Sequence, residues 1–173
     1  MIRLICIVLS LVISGLALAE GQTDYRLAAG DEISIQVFGQ DDLSLELSLG
    51  ESGVINYPFL GEIQIAGRTT REIEQEITAG LKGDYLIDPA VQVQIIAYRP
   101  FFIFGEVKRP GSYPYQPGLT ITQAVALAGG FTERASNNAI TVYPKDSAEA
   151  LESAPLNRPV APGDTIDVGR RFF

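Results

Sequence analysis

The chain has 173 residues, with 13 basic and 21 acidic side chains, no histidine and a formal net charge of −8. That length fits one ordinary domain or two small ones, and a surface this acidic disfavours nucleic acid and anionic membranes as partners. Without histidine and with a single cysteine, Cys6, the chain has no means for imidazole acid–base catalysis, disulfides or zinc sites of the usual N/S type.

Arg3, the apolar run 4–16 and Ala17-Leu18-Ala19 follow the order of a secretory signal peptide. The run is short of the ~20 residues a membrane span needs. Cleavage after Ala19 also removes Cys6, so the exported chain is expected to depend on packing and not on disulfides. The expected organisation is a signal peptide over 1–19 and two domains, 20–98 and 99–173.

Ala28-Ala29-Gly30-Asp31 predicts a turn into a strand, in which Ile33, Ile35 and Val37 alternate with polar residues. Leu43, Leu45, Leu47 and Leu49 alternate more strictly and predict a second strand over 43–49. A turn at 50–53 leads to a third strand at 54–57, and Ile63 and Ile65 continue the sheet beyond Pro58-Phe59-Leu60-Gly61. Thr69 and Glu72 have the spacing of a capping box, Ile73, Ile77 and Leu81 fall on one helical row, and Gly83 stops the helix. Asp88-Pro89 introduces a last strand, in which Val91, Val93 and Ile95 alternate with glutamines. Strands, one helix and one strand predict an α+β domain, a mixed sheet covered by a helix.

The second half opens on the apolar strand 101–104. Pro110-Gly111 predicts a turn in which proline pre-sets one residue and glycine supplies the permissive one. Tyr113 and Tyr115 alternate with prolines, as in an edge segment. After Pro117-Gly118, Thr120 and Gln123 form a second capping box, and Ala124, Val125, Leu127 and Ala128 predict an apolar helix face. Gly129-Gly130 ends that helix in the left-handed region. Residues 144–159, rich in Ala, Ser, Pro and charge, predict a surface loop. Gly163-Asp164-Thr165-Ile166 echoes Gly30-Asp31-Glu32-Ile33, a shared turn chemistry in which Gly permits the turn and Asp bonds nearby backbone.

Gly105, Glu106, Val107, Pro110, Gly111 and Tyr113, followed by residues 119–130, closely resemble the SLBB module, a β-grasp domain. Tyr25-Arg26-Leu27, Gly30-Asp31, residues 35–38, Gly53, Pro58, Leu60-Gly61, Gly67, Asp88-Pro89 and 91–93 resemble the polysaccharide export domain that precedes it. Both belong to the Wza-like outer-membrane polysaccharide export family, and the domain order agrees. The resemblance implies a periplasmic protein associated with the outer membrane. It implies a homo-oligomeric ring that passes capsule or exopolysaccharide without changing it, together with an inner-membrane polysaccharide co-polymerase. No lipid-acceptor cysteine or C-terminal spanning helix is read from the chain, so the expectation is a short form docking on a separate outer-membrane β-barrel.

Candidate chemistry is sparse. The acidic pairs Asp31-Glu32 and Asp41-Asp42, with Glu106, are the groups a carbohydrate-active enzyme would use, and they read as turn-forming, solvated carboxylates instead. No catalytic, metal-binding or cofactor-binding residue is assigned, and no cofactor is expected. Tyr57, Arg68, Tyr85, Arg99 and Tyr113 are the candidate glycan or oligomer contacts, because rings stack on sugars and Tyr and Arg favour interfaces. Gly30, Asp31, Gly105, Pro110, Gly111, Gly129 and Gly130 are assigned as structural. The alternative is a monomeric periplasmic module that binds a glycan or small ligand.

Overall fold

The computed structural model describes residues 25–171. The expected signal peptide and Cys6 lie outside the described residues. No helix among those described is long and apolar enough to cross a membrane.

Among the described residues, nine strands and two helices surround two hydrophobic cores. Around the first core, β1 (Glu32–Val37) lies between β2 (Leu45–Ser48) and β5 (Val91–Ala97), antiparallel to both. A separate hairpin pairs β3 (Val54–Tyr57) with β4 (Gly61–Gln64). The ladders between these strands are all antiparallel, and one parallel bridge, Lys82 with Leu86, follows the helix. The second predicted strand begins late. Asp41–Leu43 forms one 3-10 turn, which buries Leu43 and leaves Leu45 and Leu47 only half-buried. Alternation alone does not distinguish a strand from a turn that delivers its first leucine to the same core.

Helix α1 (Thr70–Leu81) follows the sequence reading closely. Thr69 Oγ1 accepts from Glu72 N–H at 3.2 Å and Glu72 Oε2 accepts from Thr69 N–H at 2.8 Å. Ile73, Ile77 and Leu81 are fully buried. Glu74 reaches across to accept from Val93 N–H at 2.8 Å. That bond satisfies a donor on the edge strand β5, whose unpaired N–H groups would otherwise offer a template to another chain.

Around the second core, a four-stranded sheet runs in the order β7 (Gly111–Tyr113), β6 (Phe101–Gly105), β9 (Thr165–Arg170), β8 (Ala135–Tyr143). β6 and β9 are parallel and the other pairs antiparallel, so this sheet is mixed. Helix α2 (Ile121–Leu127) carries the expected capping box and buries Ile121, Ala124 and Val125. A mixed sheet holding one short helix is the arrangement a β-grasp domain denotes, and the chain as a whole is α+β. Leu127, expected on the buried face, is instead 43% exposed. β8 has no counterpart in the sequence reading, because Ser136-Asn137-Asn138 interrupts its alternation.

The glycine readings divide. Gly129 and Gly130 have positive φ, and Gly130 N–H donates to Val125 O at 2.9 Å, closing the helix as expected. Gly111 is a correction. It is not among the positive-φ residues, and it opens β7 opposite Ile103. The chain turns before it, held where Lys108 N–H and Arg109 N–H donate to Gly130 O and Ala128 O. Nothing lies within 4 Å of a Cβ placed at Gly111.

Candidate functional site

The two echoing turns are built alike and meet at one residue. Asp31 N–H donates to Ala28 O at 3.1 Å and Ala28 N–H donates to Asp31 Oδ2 at 2.8 Å. Asp164 and Ala161 repeat both bonds at 3.1 and 2.9 Å. Between the turns lies Arg99, only 8% exposed. Its backbone N–H donates to Asp31 Oδ1 at 2.8 Å, its Nε to Pro162 O at 2.9 Å and its Nη2 to Asp146 at 3.0 Å. Tyr98 beside it packs edge-on against both Tyr25 and Tyr115, with centroids 5.0 and 5.4 Å apart. Tyr25 Oη donates to Asp31 Oδ2 at 2.7 Å. Burial, and then that hydrogen bond, push the Tyr25 hydroxyl up, so it remains a donor. Burial also raises the Asp164 carboxyl, although the Ala161 and Lys145 backbone donors oppose it. The short linker between the two cores is thus clamped from both sides.

This clamp accounts for Arg99, which the sequence suggests as a surface contact. Tyr57 is likewise interior, 1% exposed, with its hydroxyl donating to Leu43 O at 2.7 Å. Neither offers a face to a glycan. Arg68 pairs with Glu76 on the surface. Tyr113 stacks on Phe101 with centroids 6.0 Å apart and donates to Arg109 O at 2.7 Å. Tyr85 is the candidate with an open ring, 47% exposed. It stacks at 4.8 Å on Phe59, which is 65% exposed and held at φ +65°. A left-handed phenylalanine is uncommon, and such backbone strain concentrates at functional positions. Ile87 nearby in sequence is 93% exposed.

A second exposed aromatic face escapes the sequence reading. Phe102 and Tyr143 flank Thr165 in register, and Phe104 lies opposite Asp167 one row along. Directly opposed residues share a sheet face, so three rings that are 42–46% exposed stand on the outer face of this sheet. The available signal was the unbroken run Phe101–Phe104. In a strand with one wet face such a run should alternate, and continuous apolar residues mark a strand covered on both faces.

The acidic pairs are not brought together. Asp31 lies at one end of β1 and Asp41-Asp42 beyond the other, about 20 Å of extended strand apart. Paired glycosidase carboxylates stand roughly 5–9.5 Å apart. Asp31 is itself engaged on both oxygens. Among the described residues no cluster of three or more His, Cys, Asp or Glu has metal-site spacing.

Glu106 is used structurally. Its carboxylate accepts from Thr132 Oγ1 at 2.5 Å and Arg170 Nε at 3.2 Å. The Thr132 hydroxyl, then Arg170, hold its carboxyl below the usual range. A carboxyl lowered by folding adds stability above its unfolded value and loses it as pH falls through the folded one. Glu106→Gln should therefore lower Tm at neutral pH, with the gap to wild type closing on acidification through the carboxylate range. A gap independent of pH would show that the ionised form is not what matters.

Comparison with known proteins places two family models along the chain. Residues 19–96 match the polysaccharide biosynthesis/export protein family and residues 100–154 the SLBB domain. The chain is 35% identical over 142 residues to the exopolysaccharide production protein ExoF of Rhizobium meliloti, covering 74% of this chain and 33% of that protein. It is 30% identical to the EPS I polysaccharide export outer membrane protein EpsA of Ralstonia solanacearum, covering 67% of this chain and 37% of that protein. With the polysialic acid transport protein KpsD of Escherichia coli it shares 28% identity over 86% of this chain and 28% of that protein. The chain thus spans about a third of the length of these curated relatives.

Proposed function

Because the chain belongs to the polysaccharide biosynthesis/export protein family and continues into an SLBB domain, we propose that it is a non-enzymatic envelope component of polysaccharide export. The observation carrying this is the pairing of the two domains, in that order, over residues 19–96 and 100–154. The names of the relatives, which are export, production and transport proteins, support the same reading.

In this reading the protein works in the periplasm as a ring that guides the polymer unchanged, between an inner-membrane co-polymerase and an outer-membrane β-barrel. Ring closure needs a head-to-tail surface that each subunit presents to the next. The outer sheet face of Phe102, Phe104 and Tyr143 is suited to that contact, and the Phe59–Tyr85 pair to the polymer or a neighbour. The clamp at Arg99 supports the reading physically, since a repeating ring requires a constant angle between the two units of each subunit.

Deleting the gene should abolish surface or secreted polysaccharide while precursor synthesis continues. Complementation with the Phe102→Ser/Phe104→Ser variant should fail, and native mass spectrometry should show that the ring-sized species is lost. The variant monomer should still fold, losing about 2–3 kcal/mol because each ring is roughly half buried. Normal export in the deletion would overturn the proposal. A wild-type monomer with a saturable glycan would instead favour a binding module.

A further inference from the structure

One end of the β8–β9 ladder gathers positive charge in a chain that is otherwise strongly acidic. Arg134 precedes β8, Arg170 ends β9 opposite Ala135, and Arg171 follows, its N–H donating to Arg134 O at 2.7 Å. These three arginines and Glu133 line a cleft of about 270 Å³. Arg170 is 62% exposed and commits Nε to Glu106, which leaves the terminal nitrogens of its guanidinium for a further partner. The backbone bond between Arg171 and Arg134 continues the ladder just beyond the paired ends of β8 and β9. The cluster therefore depends on the ladder itself and not on flexible chain.

We propose that this cleft binds a carboxylate-bearing sugar unit of an anionic polysaccharide, an inference that rests on the export reading above. Guanidinium groups present planar forks that match carboxylates two bonds at a time, and several together fit a repeated acidic unit better than a lone lysine would. Size agrees. The cleft lies just below the roughly 300–1,000 Å³ of pockets for drug-sized ligands, so it accommodates about one sugar residue and not a broad protein surface. Field agrees as well. A chain at net −8 repels an anionic polymer over most of its surface, so a local basic cleft sets where and in what orientation the polymer touches. The contact should be brief. Exposed guanidiniums are screened by salt, which suits a polymer that must move on and not be retained.

The test uses the full chain and defined probes. Penta-galacturonate should bind in calorimetric or NMR titration and maltopentaose should not. Raising salt from about 20 to about 300 mM should weaken the acidic probe about tenfold or more. Arg134→Ala/Arg171→Ala, which leaves the Arg170–Glu106 pair in place, should weaken it by a similar factor at unchanged Tm. Arg134→Glu alone should do so more strongly. Equal binding of the neutral probe, no binding of the acidic one, or full binding by the double variant would each overturn the proposal. So would loss of self-association in the double variant without loss of probe binding, because the cleft would then belong to a contact between copies. Failure here with export still lost on gene deletion would refute only this inference. Probe binding with export intact would refute only the export reading.

Discussion

Asp31→Ala is expected to cost about 3 kcal/mol, a fall in Tm of roughly 10 °C, because it strips three donors of their shared buried acceptor. Asp31 is fully buried, and its carboxylate receives Tyr25 Oη, Ala28 N–H and Arg99 N–H at 2.7–2.8 Å. Removing it leaves two backbone donors and a hydroxyl away from water. Asp31→Asn should recover little of this. Oδ2 faces the fixed Ala28 N–H and Oδ1 the fixed Arg99 N–H, so either amide orientation points an NH₂ group at a donor. The loss should also loosen the joint between the two cores. Thermal melting reads the stability, and small-angle scattering of the variant should show a broader range of interdomain distances. An Asn variant as stable as wild type would refute the requirement for acceptors on both oxygens.

Gly105→Ala is expected to destabilise by about 3 kcal/mol or more, while Gly111→Ala stays within about 1 kcal/mol. Gly105 has φ +81°, and a Cβ there would lie 2.3 Å from Val168 O on the parallel neighbour β9. Backbone cannot move aside as a side-chain end can, and the Glu106 N–H bond to the same carbonyl at 2.8 Å holds the two chains together. Relief would require separating β6 from β9, the parallel pairing at the centre of the sheet. Gly111 meets nothing and has no left-handed requirement. Paired denaturant melts decide the matter. Comparable losses at both positions would mean that the close approach to Val168 is not the cause.

These two glycines show how far sequence reasoning reaches. Both stand in the stretch that resembles SLBB, and both are assigned there as structural. Only one has a steric reason to be glycine. Its reason lies in a carbonyl some sixty residues further along the chain, in a contact that periodicity does not encode. The capping boxes at Thr69–Glu72 and Thr120–Gln123 were legible because each is closed within three residues. The row Ile73, Ile77, Leu81 was legible because helical geometry alone puts it on one face. Leu127 departs from its expected face because a seven-residue helix does not have turns enough for periodicity to fix which edge of the apolar arc meets the sheet. Tyr57 and Arg99 lie inside for a related reason. Residue type says that a tyrosine or arginine can serve an interface, but burial decides whether it is free to do so.

By itself, then, the sequence determined the local elements, the two-unit α+β organisation and the family, because these depend on capping, alternation and turn chemistry over a few residues. It also held the echo of Gly30-Asp31 in Gly163-Asp164, though not its consequence. Tertiary structure alone decided that both turns close on Arg99, the first through a bond spanning 68 residues. It alone set Phe102, Phe104 and Tyr143 on one open face and drew Arg134, Arg170 and Arg171 to one end of the β8–β9 ladder. Those placements follow from strand order and register, which cooperative packing of two cores selects and no short window of sequence contains.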